Sequence, residues 1–141
     1  MAVGQVGRIC IFRLFEDEDL LEGIEKRARE NNIKAGTFTL IGALKNVVMG
    51  CYKNGEYVYT RLDGHMEIAS CMGNIAVDDK SDIIIHSHLV VSNEKGEAFG
   101  GHLMKGSHVG PTAELMVLEA SGMVLQRALD EKTKLKLLKL G

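Results

Sequence analysis

The sequence predicts an α+β fold: one curved, mixed and mostly antiparallel sheet, one main helix and a short C-terminal helix. Three observations carry that expectation. Apolar residues recur at helical spacing in one internal stretch, Leu20, Leu21, Ile24 and Ala28. From residue 35 to residue 129 the pattern is that of strands, rich in β-branched residues and broken by turn signals. The tail then interleaves Lys132, Lys134, Lys136 and Lys139 with Leu135, Leu137, Leu138 and Leu140, which reads as a packed amphipathic segment with a solvated lysine face. A chain of 141 residues with 45% hydrophobic and 26% charged residues is long enough to bury a core, and one domain over 1–141 is expected.

Taken in order, residues 8–15 (Arg-Ile-Cys-Ile-Phe-Arg-Leu-Phe) suit a strand. Asp19 and Glu22 have the spacing of a capping box, so the helix starts there, and Asn31-Asn32 can end it because asparagine tolerates the left-handed conformation. Strands are expected at 37–41 and 44–52. Asn54-Gly55 is a hairpin turn signal before the 57–62 run. Further strands are expected at 66–77, 82–92, 97–104, 112–120 and 123–129.

Composition removes several function classes. The net charge of −2 is unlike that of a domain that binds nucleic acid through phosphate neutralisation. No apolar run could span a bilayer, and Met1 to Gln5 lacks the basic and apolar regions of a secretory signal, so a cytoplasmic location is expected. Cys10, Cys51 and Cys71 are odd in number, widely spaced and set in apolar stretches, which reads as buried reduced thiols. No nucleophile elbow, phosphate loop or dinucleotide fingerprint is present.

The chemistry concentrates in the histidines. In Ile83-Ile84-Ile85-His86-Ser87-His88-Leu89-Val90-Val91, a strand places His86 and His88 on the face of Ile84 and Val90. Both faces are apolar, so an interior strand with partly buried histidines is expected. A three-residue loop, Glu94-Lys95-Gly96, pairs Asn93 with Glu97; counting back, Val91 opposes Phe99 and His88 opposes His102. Opposed residues share a face with Cβ atoms about 5 Å apart. Three imidazoles therefore meet on one side of one hairpin. Such a set suits zinc with a fourth position open for water or a ligand, and nickel, cobalt, copper and iron share the ligand preference. Gly100 and Gly101 leave space beside the third ligand, and a bulge there would shift the register.

Glu67 is the nearest candidate general acid/base for a metal-bound water, and Glu114 reads as a sheet-face carboxylate. His65 follows the Asp63-Gly64 turn signal and is expected at a loop edge or subunit contact. His108 is expected in a solvated loop.

Short motifs run in order through nearly the whole chain: Asp19-Leu20, Gly42-Ala43-Leu44-Lys45-Asn46-Val47, Gly64-His65-Met66-Glu67-Ile68, His86-Ser87-His88 and Gly100-Gly101-His102-Leu103. In these the chain resembles the PPC (plant and prokaryote conserved) domain family in its stand-alone prokaryotic form. The resemblance implies an α+β fold with a central mixed sheet, a homotrimer, a binding or regulatory role, and a family label of predicted DNA-binding. In plants the contact with DNA is made by an AT-hook; this chain has no Arg-Gly-Arg-Pro hook and is net acidic, so DNA is not the expected partner. Plant members diverge at the three histidine positions that this sequence keeps, which implies a metal role here. The hairpin is also similar to that of the longer acetolactate decarboxylases, which hold zinc with three histidines. That likeness implies, as an alternative, a small zinc enzyme acting on a keto or hydroxy acid, with a small molecule bound at the metal.

Overall fold

The computed structural model describes residues 1–139; Leu140, the last of the tail leucines, lies outside them. Elements follow in the order β1 (Gln5–Phe15), α1 (Leu20–Glu30), β2 (Gly36–Lys53), β3 (Glu56–Val77), β4 (Ile83–Ser92), β5 (Ala98–Leu103), β6 (His108–Ser121), β7 (Gln126–Leu129) and β8 (Lys136–Lys139). All eight strands join one sheet in the order β1-β6-β2-β5-β4-β3-β7-β8, and β2 also pairs with β3. Because β2 touches both β3 and β5, the strands β2, β5, β4 and β3 close into a ring. Among the described residues the pairings are antiparallel except for the parallel bridge of β3 to β7 at Val77–Gln126.

This architecture corrects the expected fold class. Strands take 65% of the chain and helix only 8%, so the fold is mostly β with one helix. The C-terminal helix does not form: β8 pairs antiparallel with β7, with Arg127 opposite Leu138. The physical reason is local. Asp130 Oδ2 accepts the Thr133 N–H and hydroxyl, and the Asp130 N–H donates to Leu135 O at 2.8 Å. That turn reverses the chain, with Lys132 and Lys134 in the turn region and Lys134 at a φ of +60°, so the helical spacing is broken before β8 begins at Lys136. Two pairs of expected strands are each one long strand. Residues 37–41 and 44–52 join as β2 through Gly42, whose φ of +137° places it where a Cβ would lie 2.4 Å from Thr112 O. Residues 57–62 and 66–77 likewise join as β3.

α1 starts as its capping pattern indicates. Asp19 Oδ1 accepts the Glu22 N–H at 3.0 Å, and Asp19 Oδ2 accepts the Gly106 N–H at 2.6 Å, so one carboxylate both caps the helix and pins the loop before β6. The helix buries Leu20, Gly23, Ile24 and Ala28 against one side of the sheet. There they meet Leu14, Phe38, Leu40, Leu44, Val91 and Leu115 in the core. The opposite side of the sheet has no such cover, and Ile9, Ile11, Ile41, Met72, Met116 and Leu118 stay exposed on it.

Of the three cysteines, none is paired; Cys71 is buried as expected, Cys10 is half-buried and Cys51 is exposed. Among the described residues no helix is long and apolar enough to cross a membrane.

Candidate metal centre

The hairpin between β4 and β5 has the register read from its turn. The Gly96 N–H donates to Asn93 O, Gly96 has φ +76°, and Val91 opposes Phe99 while His88 opposes His102. The ladder runs from Ser92–Ala98 to His88–His102 without a bulge at Gly100 or Gly101. The alternation along β4 is clear from Ser87 onward: Ser87, Leu89 and Val91 are buried toward the core, whereas His88 and Val90 are exposed. β4 is the interior strand expected, between β5 and β3; His86 is half-buried on its open side, and His88 is exposed.

A single row of paired residues crosses that open side. Ile11 opposes Met116, Met116 opposes Thr39, Thr39 opposes Met72, Met72 opposes His88, and His88 opposes His102. The three imidazoles cluster at its end, with ring centroids 5.1 Å apart for His86–His88 and His86–His102 and 5.4 Å for His88–His102. One ligand nitrogen from each ring can be chosen so that all lie within 4.8 Å of one another. Tetrahedral zinc with Zn–N distances of about 2.0–2.1 Å needs nitrogens about 3.4 Å apart, so the rings would have to draw together to share an ion. The donor set is all imidazole, which fits zinc and its borderline neighbours and not magnesium or calcium. Burial first, and then the neighbouring His86, His88 and Arg127, together hold His102 down to about 4, so at neutral pH its ring is uncharged and offers a lone pair. Burial also lowers His86, followed by the charge of Arg127 and the neighbouring His88.

A cavity of about 640 Å³ opens on the cluster, lined by all three histidines and walled by Tyr52, Tyr57, Met72 and Leu135. The Tyr57 ring packs against His102 with centroids 5.4 Å apart. Tyr52 Oη donates to Thr133 O at 2.6 Å, which fastens the β7–β8 turn over this wall.

Glu67 is not brought to the cluster. It opposes Ser92, four residues along β4 from His88 and so roughly 13 Å away at strand rise, and its Oε1 accepts from His65 Nε2 at 2.9 Å on the surface. His65 is therefore an exposed strand residue. His108 opens β6 half-buried, with Nδ1 3.0 Å from Asn46 Oδ1, where a solvated loop was expected. Glu114 is an exposed sheet-face carboxylate opposite Arg13 and Ile41.

The polar residue that does reach the cluster went unnoticed in the sequence. Arg127 on β7 is only 6% exposed. Its Nη2 donates to Asn74 Oδ1 at 2.9 Å and lies 3.1 Å from His86 Nδ1, and its Nη1 donates to Lys136 O at 2.9 Å. A lone arginine beyond the last long strand carries no sequence signal for this; only the opposition of Asn74 to His86 and the parallel seating of β7 beside β3 produce it.

The sequence pattern of the Plants and Prokaryotes Conserved (PCC) domain matches residues 1–121. The chain belongs to this family. Among PCC relatives of known structure, it is 34% identical to a metal-containing protein from Archaeoglobus fulgidus, covering 99% of each chain with a TM-score of 0.89. It is 31% identical to a plant- and prokaryote-conserved (PPC) protein from Pyrococcus horikoshii, covering 98% of this chain and 95% of that one, with a TM-score of 0.90. A protein from Ralstonia eutropha JMP134, named as a candidate DNA-binding protein, shares the fold at 24% identity and a TM-score of 0.81, over 93% of this chain and 90% of that one. Curated relatives include the bifunctional protein GlmU of a Synechococcus strain, 27% identical over 128 residues; the chain spans 19% of that protein's length. β7 and β8, with Arg127, lie beyond the matched residues 1–121.

Proposed function

We propose that this chain is a single PCC domain over 1–141 that holds a zinc-type divalent ion through His86, His88 and His102 and acts as a homotrimeric binding or regulatory protein. The observation that carries the reading is the convergence of three ligand nitrogens within 4.8 Å at the mouth of a cavity. The metal-containing A. fulgidus relative supports it, at 34% identity over 99% of both chains. When bound, such an ion polarises an oxygen ligand or acidifies a water. The chain's own residues would orient the imidazoles, through the β4–β5 ladder, and wall the cavity with aromatic and apolar side chains. Self-association is supported by the open sheet side, where Ile9 (65% exposed), Ile11 (70%) and Met72 (57%) would otherwise stay in water. The net charge of −2 favours a small-molecule or protein partner over DNA.

The test is elemental analysis of protein purified without a histidine tag, beside His102→Ala. We expect about one zinc per chain in the parent and under a tenth of that in the variant. A parent that stays metal-free after incubation with zinc would end the reading. Sedimentation should give about three times the 15.4 kDa chain mass, and a monomer would end the trimer.

A further inference from the structure

We propose that Arg127 is a lock on the metal centre: it occupies the one lone pair that His86 has to give, and an ion enters only by expelling it, which loosens the β7–β8 hairpin from the sheet. The inference rests on the metal reading above and goes on to name the residue that sets the affinity of the centre and the segment that responds to it.

His86 has one lone pair, and it is taken. Arg127 Nη2 lies 3.1 Å from His86 Nδ1, and a guanidinium has only donors. Nδ1 is therefore the acceptor, and the single proton of the ring is on Nε2. In that state neither nitrogen is free for an ion. A bond to an ion through Nδ1 must displace the arginine directly. A bond through Nε2 must move the proton to Nδ1, where two N–H groups would then face each other. Both routes break the same hydrogen bond. Only an imidazolate, stripped of both protons, could serve ion and arginine together. The ordinary arrangement is the reverse, in which a metal-bound histidine donates its second N–H to an acceptor that steadies it. Asn74 opposes His86 across the β3–β4 ladder, so the two side chains share a face, but its Oδ1 accepts from Arg127 Nη2 at 2.9 Å. The Nδ1–H of a metal-bound His86 would compete for that same oxygen.

Charge acts in the same direction. Arg127 is a cation only 6% exposed, and no aspartate or glutamate is among the described residues lining the cavity. A divalent ion on the far side of one imidazole would be repelled by the guanidinium with little water to screen it. Arg127 meets the ring from outside the cavity lining, so it opposes the ion without touching what the cavity holds.

Expelling the arginine has a consequence for its hairpin. Arg127 ties β7 to both β3 and β4, through Asn74 and His86. Its Nε is already buried without a hydrogen-bond partner. Loss of a further acceptor leaves a second buried donor unmet, and relief comes from letting the guanidinium swing out to water. The hairpin is otherwise tied to the sheet by the parallel bridge at Val77–Gln126, the Lys136–Asp78 ion pair at 2.9 Å and the Tyr52–Thr133 hydrogen bond. It also lends Leu135 to the cavity wall, so its loosening would widen the cavity as the centre fills.

The experiment titrates zinc into the full chain against a chromophoric competitor, for the parent, Arg127→Met and Asp78→Asn. Methionine keeps the apolar stem of the arginine and removes its donors and its charge. Arg127→Met should hold zinc at least about tenfold more tightly than the parent, the scale of one buried donor left unmet. Asp78→Asn weakens the Lys136 anchor of the same hairpin and leaves Arg127 in place; it should tighten zinc about threefold. In the parent, zinc should speed amide exchange over residues 126–139 and slow it over 83–92. Equal or weaker zinc binding by an Arg127→Met protein that folds, checked by thermal melt, would overturn the lock and leave the metal reading standing; weaker binding is also the sign an imidazolate would give. Hairpin exchange that slows or stays level when the parent binds zinc would overturn it too, and decides alone if Arg127→Met does not fold. A parent that takes up no zinc would overturn both readings.

Discussion

Gly73 tests the structure where the core and the metal centre share a backbone. It lies on β3 opposite Ser87, one position from the His86 carbonyl, and on its other side the Phe38 ring lies over it. A Cβ added there would sit 2.2 Å from His86 O and 2.7 Å from Phe38 Cζ. The first distance is about 1 Å short of even a tight carbon–oxygen contact. Phe38 is 1% exposed and packed in the core, so it has little room to yield. The strain in Gly73→Ala must therefore push β4 away from β3 and take the His86 backbone with it. Overpacking of this kind costs about 1–3 kcal/mol, and contact with backbone on one side and a buried ring on the other puts it at the upper end. For a chain of this size each kcal/mol lowers Tm by about 3–4 °C, so the metal-free variant should melt about 10 °C below the parent. Displacement of one ligand should also weaken zinc at least about tenfold, the scale seen when a ligand's support is lost. Circular-dichroism melts in chelator and competition with a chromophoric zinc indicator measure the two. Gly100→Ala is the comparison: its nearest contact is 3.2 Å, and it should cost less than half as much. A Gly73→Ala protein with parental Tm and parental zinc affinity would refute the close approach of β3 and β4 on which the reasoning depends.

Asp78→Asn should loosen the β7–β8 hairpin, seen as faster amide exchange over residues 126–139. The Asp78 carboxylate accepts the N–H groups of Lys80 and Asp82 and pairs with Lys136. The Lys136 hydrogen bond is the largest cause holding Asp78 below its usual 3.8. A carboxylate whose folded pKa is depressed contributes stability above its unfolded value and loses it as pH falls. The Tm difference between parent and Asp78→Asn should therefore be present at neutral pH and shrink below about pH 3.8; a difference independent of pH would exclude the ion pair as its source. Asp19→Ala removes a helix cap and strands the Gly106 N–H, and should cost about 2 kcal/mol in urea unfolding, with Asp19→Asn milder. Equal stability of Asp19→Ala and the parent would mean that the loop before β6 is held by other contacts.

The candidate site was legible in the sequence to the extent that it depends on one hairpin. Gly96 fixed the turn, the turn fixed the register, and the register set His88 opposite His102, because antiparallel pairing propagates from a short loop without reference to the rest of the fold. Arg127 was illegible for the opposite reason: its approach depends on a strand of four residues seated beside β3, fifty-three positions from Asn74 in the chain. The helix α1 was legible from its cap. The tail differs from its expected helix because its lysines and leucines satisfy a helix wheel only loosely, and the decisive contact, Asp130 with Thr133, is a turn rather than a cap. Long-range closure of β2 on both β3 and β5 follows from strand curvature and leaves no trace in local periodicity.

The alternation along β4 has a consequence for how this protein could change. Core residues and metal-facing residues take turns one by one, from Ser87 to Val91. A slip of a single residue would send His86 and His88 into the core and put Leu89 and Val91 in water. A shift of register in this strand therefore cannot spoil the centre quietly while the scaffold survives. Insertions and deletions between 83 and 91 should be purged as folding failures whatever the ligand is worth to the cell. Function is thereby sheltered behind stability, and new specificities are free to arise where the two are uncoupled, in the β7–β8 hairpin.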